Sequence, residues 1–443
     1  MAVRSRTLLH LKRSKERPMS LLNQYDAIAP ADTAARARFI GKVLRTNTRE
    51  LFAELRERRP IFTTPMATFI TKYVDVVEVL RRPDIFTVKL YAAKMDPSMG
   101  PVMLARDNTN INYKDKSLMR ILSPLTDQPA VRAIAGELAD AAIEANAKDG
   151  KLEVIRHLGR GVPVRVVDKY FGFPGPDEDT MLRWSKATQS DFFKNLTNDA
   201  AIHAASVTAG QEMAAWLRDY LPKRQAEIFA CGESPADVVG RLLATQFPGD
   251  IGFTLDRMLS NVSGLLAGSV ETSSQAIAQA LEQILLRPAV AKQAKAAAAS
   301  TSLDVFDSIV WEALRFNPIN PLVFRLTDTD TVIAAGTARE ARIPKGTVVF
   351  ACTASAMWDS EVIERADDFI PGRPSYSYMH FGYASHECLG KPVGGVMVPE
   401  VVRRLLLSGA ALLPGEAGQI DFAGGPFPES FTVAVDGPRH RCR

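Results

Sequence analysis

One cysteine of this chain lies in a short segment whose residue types suit a metal-bound sulfur. The segment runs Phe381-Gly-Tyr-Ala-Ser-His-Glu-Cys388-Leu-Gly390, so the cysteine follows a histidine by two residues and has glycine close on either side. A thiolate ligand needs a stiff loop, backbone N–H groups directed at the sulfur and a polar neighbour for the bound group. A lone cysteine is more often a small buried hydrophobe, so this interpretation needs support from other residues.

Two other groups of residues could do chemistry or support it. Glu312 and Arg315 are three apart in a helical stretch, so their side chains share a face and can pair. Glu271 and Thr272 place a carboxylate beside a hydroxyl within the longest uninterrupted helical pattern, residues 254–286. Such a pair can relay protons and orient water. Each motif alone is usually an ordinary helix surface, and their order along the chain is what favours a functional interpretation.

In this order the motifs resemble those of the cytochrome P450 family. The cysteine loop is similar to the family pattern Phe-Gly-x-Gly-x-His/Arg-x-Cys-x-Gly, with Ala384 where the second glycine usually stands. Glu312 and Arg315 match the family's Glu-x-x-Arg helix, and Gly268 to Thr272 is similar to its Gly-Gly-x-Asp/Glu-Thr element. The resemblance covers the chain from Ile61 to its end.

The resemblance implies a haem b whose iron is bound by Cys388. The haem would be held without covalent attachment, because the chain has no Cys-x-x-Cys-His site. It further implies that Arg325 and His386 bind the haem propionates, and that Phe381 and Gly390 belong to the haem site. The family's His-x-x-x-Arg motif falls here on Asp115 and Met119, so Arg120 is the nearest substitute for the third propionate contact.

The same resemblance gives the remaining residues their roles. Glu271 and Thr272 would lie over the distal haem face and deliver the protons that oxygen activation requires. Glu312, Arg315 and Arg373 would form a buried charged triad that fixes the cysteine loop.

Composition and the N-terminus agree with a globular protein that is not membrane-anchored. The chain has 443 residues, is 46% hydrophobic and carries a net charge of +4. Charged residues interrupt every apolar run near the N-terminus, so we expect no signal peptide or membrane anchor, and a disordered basic tail rather than a nucleic-acid-binding arm. The four cysteines show no paired spacing, which favours a reducing cytoplasm.

The resemblance implies a mainly α fold with a small β-rich lobe, the cytochrome P450 fold. We expect a tail over residues 1–20 and a single domain over residues 21–443. The patterns predict strands at 61–63 and 66–71, a helix from Tyr73 to Leu80, an irregular loop at 90–114 over the haem, and helices at 128–148, 176–193, 199–229 and 235–246. Residues 343–347 should form a turn between two strands. Pro399 should bend or restart a helix that begins after Pro392.

The expected function is that of a haem-thiolate monooxygenase that activates O2 and hydroxylates or epoxidises an apolar or amphipathic small molecule. Electrons would come from a separate ferredoxin and ferredoxin reductase, because the chain has no flavin or iron–sulfur motif. Basic residues would guide an acidic ferredoxin to the proximal face, namely Arg365, Lys391, Arg403 and Arg404. The alternatives are a peroxygenase or hydroperoxide isomerase that needs no electron donor, and a non-catalytic haem sensor.

Overall fold

The computed structural model describes residues 19–107, 109–232, 234–245 and 247–436. Of the predicted tail at 1–20, only Met19 and Ser20 fall within these residues, and Cys442 lies outside them. The Ser20 hydroxyl accepts a hydrogen bond from the Asn23 N–H and thereby caps the first helix. The described chain is mainly helical with small sheets, which confirms the predicted fold class.

The helices account for most of the described chain, and none of them is both long and apolar enough to cross a membrane. The α-helices are α1 (Leu21–Asp26), α2 (Thr33–Thr46), α3 (Thr48–Arg58), α4 (Tyr73–Leu80), α5 (Lys89–Met99), α6 (Lys116–Leu122), α7 (Gln128–Asn146), α8 (Gly161–Val166), α9 (Glu178–Gln189), α10 (Ala200–Cys231), α11 (Val238–Ala244), α12 (Leu255–Leu285), α13 (Pro288–Ala298), α14 (Asp304–Phe316), α15 (Thr353–Met357) and α16 (Lys391–Leu407). Wider π-helical turns at Ile111–Asp115, Ile155–Arg160, Val167–Phe171 and Ser190–Lys194 adjoin several of these.

The strands form three small sheets. They are β1 (Ile61–Thr63), β2 (Thr68–Ile70), β3 (Phe86–Thr87), β4 (Lys151–Glu153), β5 (Val323–Thr327), β6 (Thr331–Ile333), β7 (Ala341–Ile343), β8 (Val348–Ala351), β9 (Ala411–Leu412) and β10 (Thr432–Ala434). The largest sheet has the order β1-β2-β8-β5-β3, in which β2 and β8 are parallel and the other neighbours antiparallel. The predicted turn at 343–347 does connect two strands, β7 and β8.

The long helix α12 runs through the middle of the helical core. Thr254 caps its first turn, and apolar side chains such as Val262, Leu266 and Ile277 are fully buried against α9, α14 and α16. Gly268 leaves room on one side, since a Cβ there would meet no atom within 4 Å, whereas a Cβ at Gly264 would contact Val102 at 3.6 Å. The position and length of this helix agree with the sequence prediction.

The predicted irregular loop at 90–114 is wrong in its first part, because residues 89–99 form helix α5. Tyr91, Met95 and Met99 follow one another at a spacing of four and are all buried, which is a helical pattern that Pro97 obscured. Gly100, with φ at +78°, ends the helix. The segment nevertheless lines the central cavity, as expected.

The predicted restart at Pro399 is wrong, since α16 begins at Lys391 and continues through Pro399 to Leu407, while the alternative, a bend at Pro399, stays a prediction. Pro392 lies in the first turn, where a missing N–H costs little. Contacts on both sides of Pro399 hold the helix: Gln128 Nε2 donates to the Pro392 carbonyl at 3.1 Å, and the buried Glu400 carboxylate accepts hydrogen bonds from Arg403 and Arg404. Tertiary packing therefore outweighs the local helix-breaking effect of proline.

Candidate active site

A cavity of about 1190 Å³ lies between α12 and the cysteine loop. Its walls are largely apolar and come from α5, α12, the start of β5 and the segment from 379 to 394. Tyr91 of α5 stacks on Phe324 of β5 at a ring distance of 4.2 Å, which closes one side. A large apolar cavity with few polar groups is typical of a ligand or cofactor site.

The cysteine loop presents the Cys388 sulfur to this cavity. The Cys388 N–H donates to the Phe381 carbonyl at 2.7 Å, and the Glu387 N–H donates to the Ala384 carbonyl at 3.0 Å, which makes the loop rigid. Burial raises the pKa of the Cys388 thiol, while the Gly390 N–H and the nearby Lys116 ammonium act to lower it. Donors directed at the sulfur are what a thiolate ligand requires.

The loop contains two residues in the left-handed backbone region. Gly382 has φ at +76° and Ala384 has φ at +56°. Glycine adopts this conformation without steric cost, whereas alanine does not. Ala384, the departure from the family pattern noted in the sequence, therefore occupies a position whose backbone favours glycine.

Three cationic or polar side chains gather along one wall of the cavity. Arg325 is buried and donates to the Phe324 carbonyl at 2.8 Å, and burial lowers the pKa of its guanidinium. His386 Nε2 lies 2.8 Å from Asp107 Oδ1, and burial lowers the pKa of its imidazole. Lys116 donates to the Ser385 carbonyl at 2.6 Å, and burial lowers the pKa of its ammonium to about 8.

Arg120, the third propionate contact expected from the sequence, does not reach this wall. Its side chain is half-exposed and lies 3.6 Å from Glu387, outside the cavity lining. Asp115, which stands where the family has histidine, is fully buried and bound to Arg257 and Asn261 of α12. Lys116, between these two positions, lines the cavity together with Met119 and is the cationic residue of this helix in the lining.

The residues that line this cavity have the chemistry needed to hold a haem. Arg325 donates to one carbonyl and keeps further donors for a carboxylate. The Nδ1 atom of His386 is buried and lacks a hydrogen-bond partner; it can donate to a carboxylate when both ring nitrogens carry protons, since Nε2 already faces Asp107. Gly264 and Gly268 of α12 line the same cavity as Cys388, with open space where a Cβ at Gly268 would stand, and Phe381 and Gly390 line it too. An orphaned polar atom in a buried wall indicates a missing partner.

The two distal residues predicted from the sequence are separated by the helix. Thr272 lines the cavity, and its hydroxyl donates to the Gly268 carbonyl at 2.6 Å. Glu271 points away into the core, where its two oxygens accept from Arg160 at 2.8 and 3.0 Å and no surface is exposed. Burial raises the pKa of Glu271, and the facing Arg160 guanidinium opposes this.

Arg160 connects Glu271 to the surface. It also lies 3.1 Å from Glu429 Oε2, and Glu429 pairs with the half-exposed Lys186 at 2.7 Å. The resulting row of alternating charges runs Glu271, Arg160, Glu429, Lys186. Glu271 is thus held by a cation that lies 111 residues away in sequence, a contact that no local pattern could indicate.

The charged triad is assembled around Glu312. Its carboxylate accepts from Arg315 Nε and Nη2 at 3.0 and 2.8 Å, from Arg373 Nε at 3.2 Å and from the Ile370 N–H at 2.9 Å. The Tyr378 hydroxyl adds a fifth bond at 3.1 Å. All three charged side chains are buried, and Tyr378 connects them to the segment that leads into the cysteine loop.

Sequence reasoning missed Arg160, Lys116, Asp107 and a fourth residue, Lys194. Lys194 ends the π-helical turn after α9 and lines the cavity. Lysines at these positions match no family motif, and Arg160 and Asp107 act through contacts distant in sequence. Lys116 meets the cysteine loop across 269 residues of sequence, at the Ser385 carbonyl, so no local pattern indicates that contact either.

Comparisons with known proteins agree with this geometry. Residues 180–408, more than half of the chain, match the family model described as Cytochrome P450. The chain is 24% identical to pulcherriminic acid synthase of Bacillus subtilis (76% of this chain, 82% of the relative) and 24% identical to steroid C26-monooxygenase of Mycolicibacterium smegmatis (81% and 85%). It superposes on the structure of cytochrome P450 CYP109Q5 from Chondromyces apiculatus with a TM-score of 0.71 at 24% identity, over 89% of this chain and 96% of that one.

Proposed function

The chain belongs to the cytochrome P450 family and is a monooxygenase of that family, and we propose that Cys388 binds the iron of a haem b in its central cavity. The observation that carries this proposal is the hydrogen-bonded loop that places Cys388 in the lining of a cavity that the glycines of α12 also line. The haem, when bound, would supply the activation of O2 and its transfer to the substrate.

The propionates would be bound by Arg325, by His386 Nδ1 and by Lys116. Each of these side chains lines the cavity and has donor capacity that protein acceptors do not use. Asp107 binds the Nε2 atom of His386 and thereby fixes the orientation of the ring. Nδ1 would then face the propionate and donate to it when both ring nitrogens are protonated. Arg120 is left at the surface beside Glu387.

On the distal side, Thr272 is the hydroxyl placed to orient a water or the oxygen substrate. Its bond to the Gly268 carbonyl can be exchanged for one into the cavity by a rotation about χ1. Glu271 can take part in proton delivery only after it separates from Arg160, because in this structure it faces neither the cavity nor solvent. We propose that this separation limits proton entry.

The electron donor we propose is a ferredoxin reduced by its reductase. Of the basic residues expected on the proximal face, Arg403 and Arg404 are tied to the buried Glu400. Lys391 and Arg120 are 54% and 49% exposed beside the cysteine loop, where both pair with Glu387. Arg365 is 66% exposed and pairs with Asp368. We propose that these exposed cations, rather than Arg403 and Arg404, steer an acidic partner. We also propose a cytoplasmic location, since Cys231, Cys352 and Cys388 are free.

One observation favours the peroxide-driven alternative. The Arg160–Glu271 pair closes the carboxylate off from the cavity, and an enzyme that starts from a peroxide needs no separate proton supply for oxygen. In that case Thr272 would be dispensable and no ferredoxin would be needed.

The test combines a spectrum with a coupling measurement. Reduced protein with carbon monoxide should absorb at the position characteristic of thiolate ligation, and Cys388→Ala should abolish that band. With ferredoxin, reductase and O2, Thr272→Ala should still consume electrons but release them as hydrogen peroxide, so product per reducing equivalent falls.

Ser269→Ala is the matched control, since Ser269 lines the same cavity and makes the same backbone bond to the residue four earlier. Its coupling should equal that of the wild type. Wild-type turnover with hydrogen peroxide that matches turnover with ferredoxin and O2, and a Thr272→Ala variant that is unaffected, would instead establish the peroxide-driven function.

A further inference from the structure

A partly buried lysine, Lys194, lies in the cavity wall. Lys194 is the last residue of the π-helical turn Ser190–Lys194, and its ammonium donates to the Ile319 carbonyl at 3.0 Å and to Asn320 Oδ1 at 2.9 Å. The Phe427 ring lies 5.7 Å from the ammonium. Three chain segments distant in sequence therefore meet around one cation.

The charge of Lys194 has no counter-ion among the described residues. No described carboxylate lies within 4.0 Å of its ammonium, and burial alone lowers its pKa to about 8. Its two acceptors are neutral, and an ammonium has three donors. Burying a charge without an anion is costly, so such a cation in a cavity wall indicates an anionic ligand.

We propose that Lys194 binds the carboxylate of the substrate, and therefore that this enzyme oxidises apolar molecules that carry one carboxylate. The remaining donor of Lys194 would bind the carboxylate, and the apolar part of the molecule would extend along the walls formed by α5, α12 and β5 towards the cysteine side. A single cation matches a single negative charge, which favours a carboxylate over a dianionic phosphate. The inference rests on the proposed function, since it names the substrate class of the same cavity.

A neighbouring lysine shows what a purely structural role would look like. Lys94 of α5 donates to the Asp191 and Asn195 carbonyls and so holds the same π-helical turn from its other side. It does not line the cavity. Lys94 is thus a matched control: it is a partly buried lysine with carbonyl partners and no access to a ligand.

The experiment compares saturated straight-chain fatty acids with their primary amides, which have nearly the same size and no charge. Binding is followed by the shift of the haem absorption spectrum on addition of each compound. We expect the wild type to bind the acids about 10- to 100-fold more tightly, the fold-change of a charge-assisted hydrogen bond. Lys194→Met should lose this preference, Lys194→Arg should keep most of it, and Lys94→Met should keep all of it.

Two results would overturn the proposal: equal affinities of acid and amide in the wild type, or a preference that persists in Lys194→Met. The wild-type comparison needs no variant, so it decides even where Lys194→Met folds poorly. The carbon monoxide spectrum of each sample is recorded first. A missing thiolate band contradicts the proposed function, whereas an intact band without acid preference contradicts only the role of Lys194.

The preference should also depend on pH. Near Lys194 the charged groups are already engaged: Asp191 with His203 and Asn195, Lys94 with backbone carbonyls, and Glu429 with Arg160 and Lys186. As the pH rises through about 8, the free Lys194 loses its proton, and the affinity for acid should fall relative to amide. A ratio that stays constant through that range contradicts the proposal.

Discussion

The substitution Glu312→Ala should destabilise the protein by several kcal/mol and impair haem retention. Among the residues that the structure describes, the carboxylate of Glu312 is the only anion paired with Arg315 and Arg373, whose side chains are 0% and 5% exposed. Its removal leaves two buried cations without a counter-ion, which costs on the order of 3–5 kcal/mol. Domains of ordinary stability have only about 5–15 kcal/mol in total, so a large part of the stability would be lost.

The assay is a urea titration followed in parallel by helix content and by haem absorption. Haem absorption should be lost at lower urea than helix content, because Tyr378 links Glu312 to the segment preceding the cysteine loop. Glu312→Gln keeps the shape of the side chain but not its charge. The urea concentration at which this variant unfolds should therefore lie between those of the wild type and Glu312→Ala.

The matched control removes a carboxylate whose partner is exposed. Asp219 pairs with Lys223 on α10, with side chains 70% and 68% exposed, so Asp219→Ala should change stability by less than about 1 kcal/mol. A Glu312→Ala protein that unfolds at the same urea concentration as the wild type and stays fully haem-loaded would refute the reasoning about the buried triad.

Three further variants test other parts of the site. Ala384→Gly should stabilise the protein by about 0.5–1 kcal/mol in urea titration. The substitution removes the strain of an alanine in the left-handed region, and this gain exceeds the cost of the extra conformational entropy that glycine gives the unfolded chain. A lower urea midpoint than that of the wild type would contradict this. Lys116→Met should accelerate haem transfer to an acceptor protein about tenfold or more, whereas Arg120→Met should leave it unchanged, and equal rates for both would refute the assignment. Arg160→Met should lower the urea midpoint more than the double variant Arg160→Met/Glu271→Met does, because the single substitution leaves the buried Glu271 carboxylate unpaired. A lower midpoint for the double variant would refute this account of the pair.

The sequence predicted those parts of the fold that depend on local pattern. The boundaries of α12 were predicted to within one residue, and Glu312 and Arg315 share a helix face as their spacing indicates. Proline misled the prediction at Pro97, which lies inside a helix, and the helix expected to bend or restart at Pro399 shows no restart, because packing against neighbouring helices outweighs the local preference.

The candidate site was predictable where it coincides with a motif and not where it depends on distant contacts. Cys388 and Arg325 line the cavity as expected. The side chain of Glu271 is directed away from it because Arg160 lies on the other side of α12, and Lys116 replaces Arg120 at the wall because it lies one turn earlier on that helix. Such choices between neighbouring residues are made by tertiary packing.

The strand order of the largest sheet constrains when this protein can acquire its final form during synthesis. The early strand β2 completes its pairing only with β8, whose residues 349–351 are made some 280 residues later, and β3 similarly awaits β5. Pairings between such distant segments form slowly, since a long loop must close before they contribute any stability. Arg325 lies on β5, so the wall proposed to bind the propionates exists only once most of the chain has left the ribosome. Haem capture is therefore expected to be a late, post-assembly step, and an incomplete chain ending before β5 would expose the unpaired edge of β2 to aggregation.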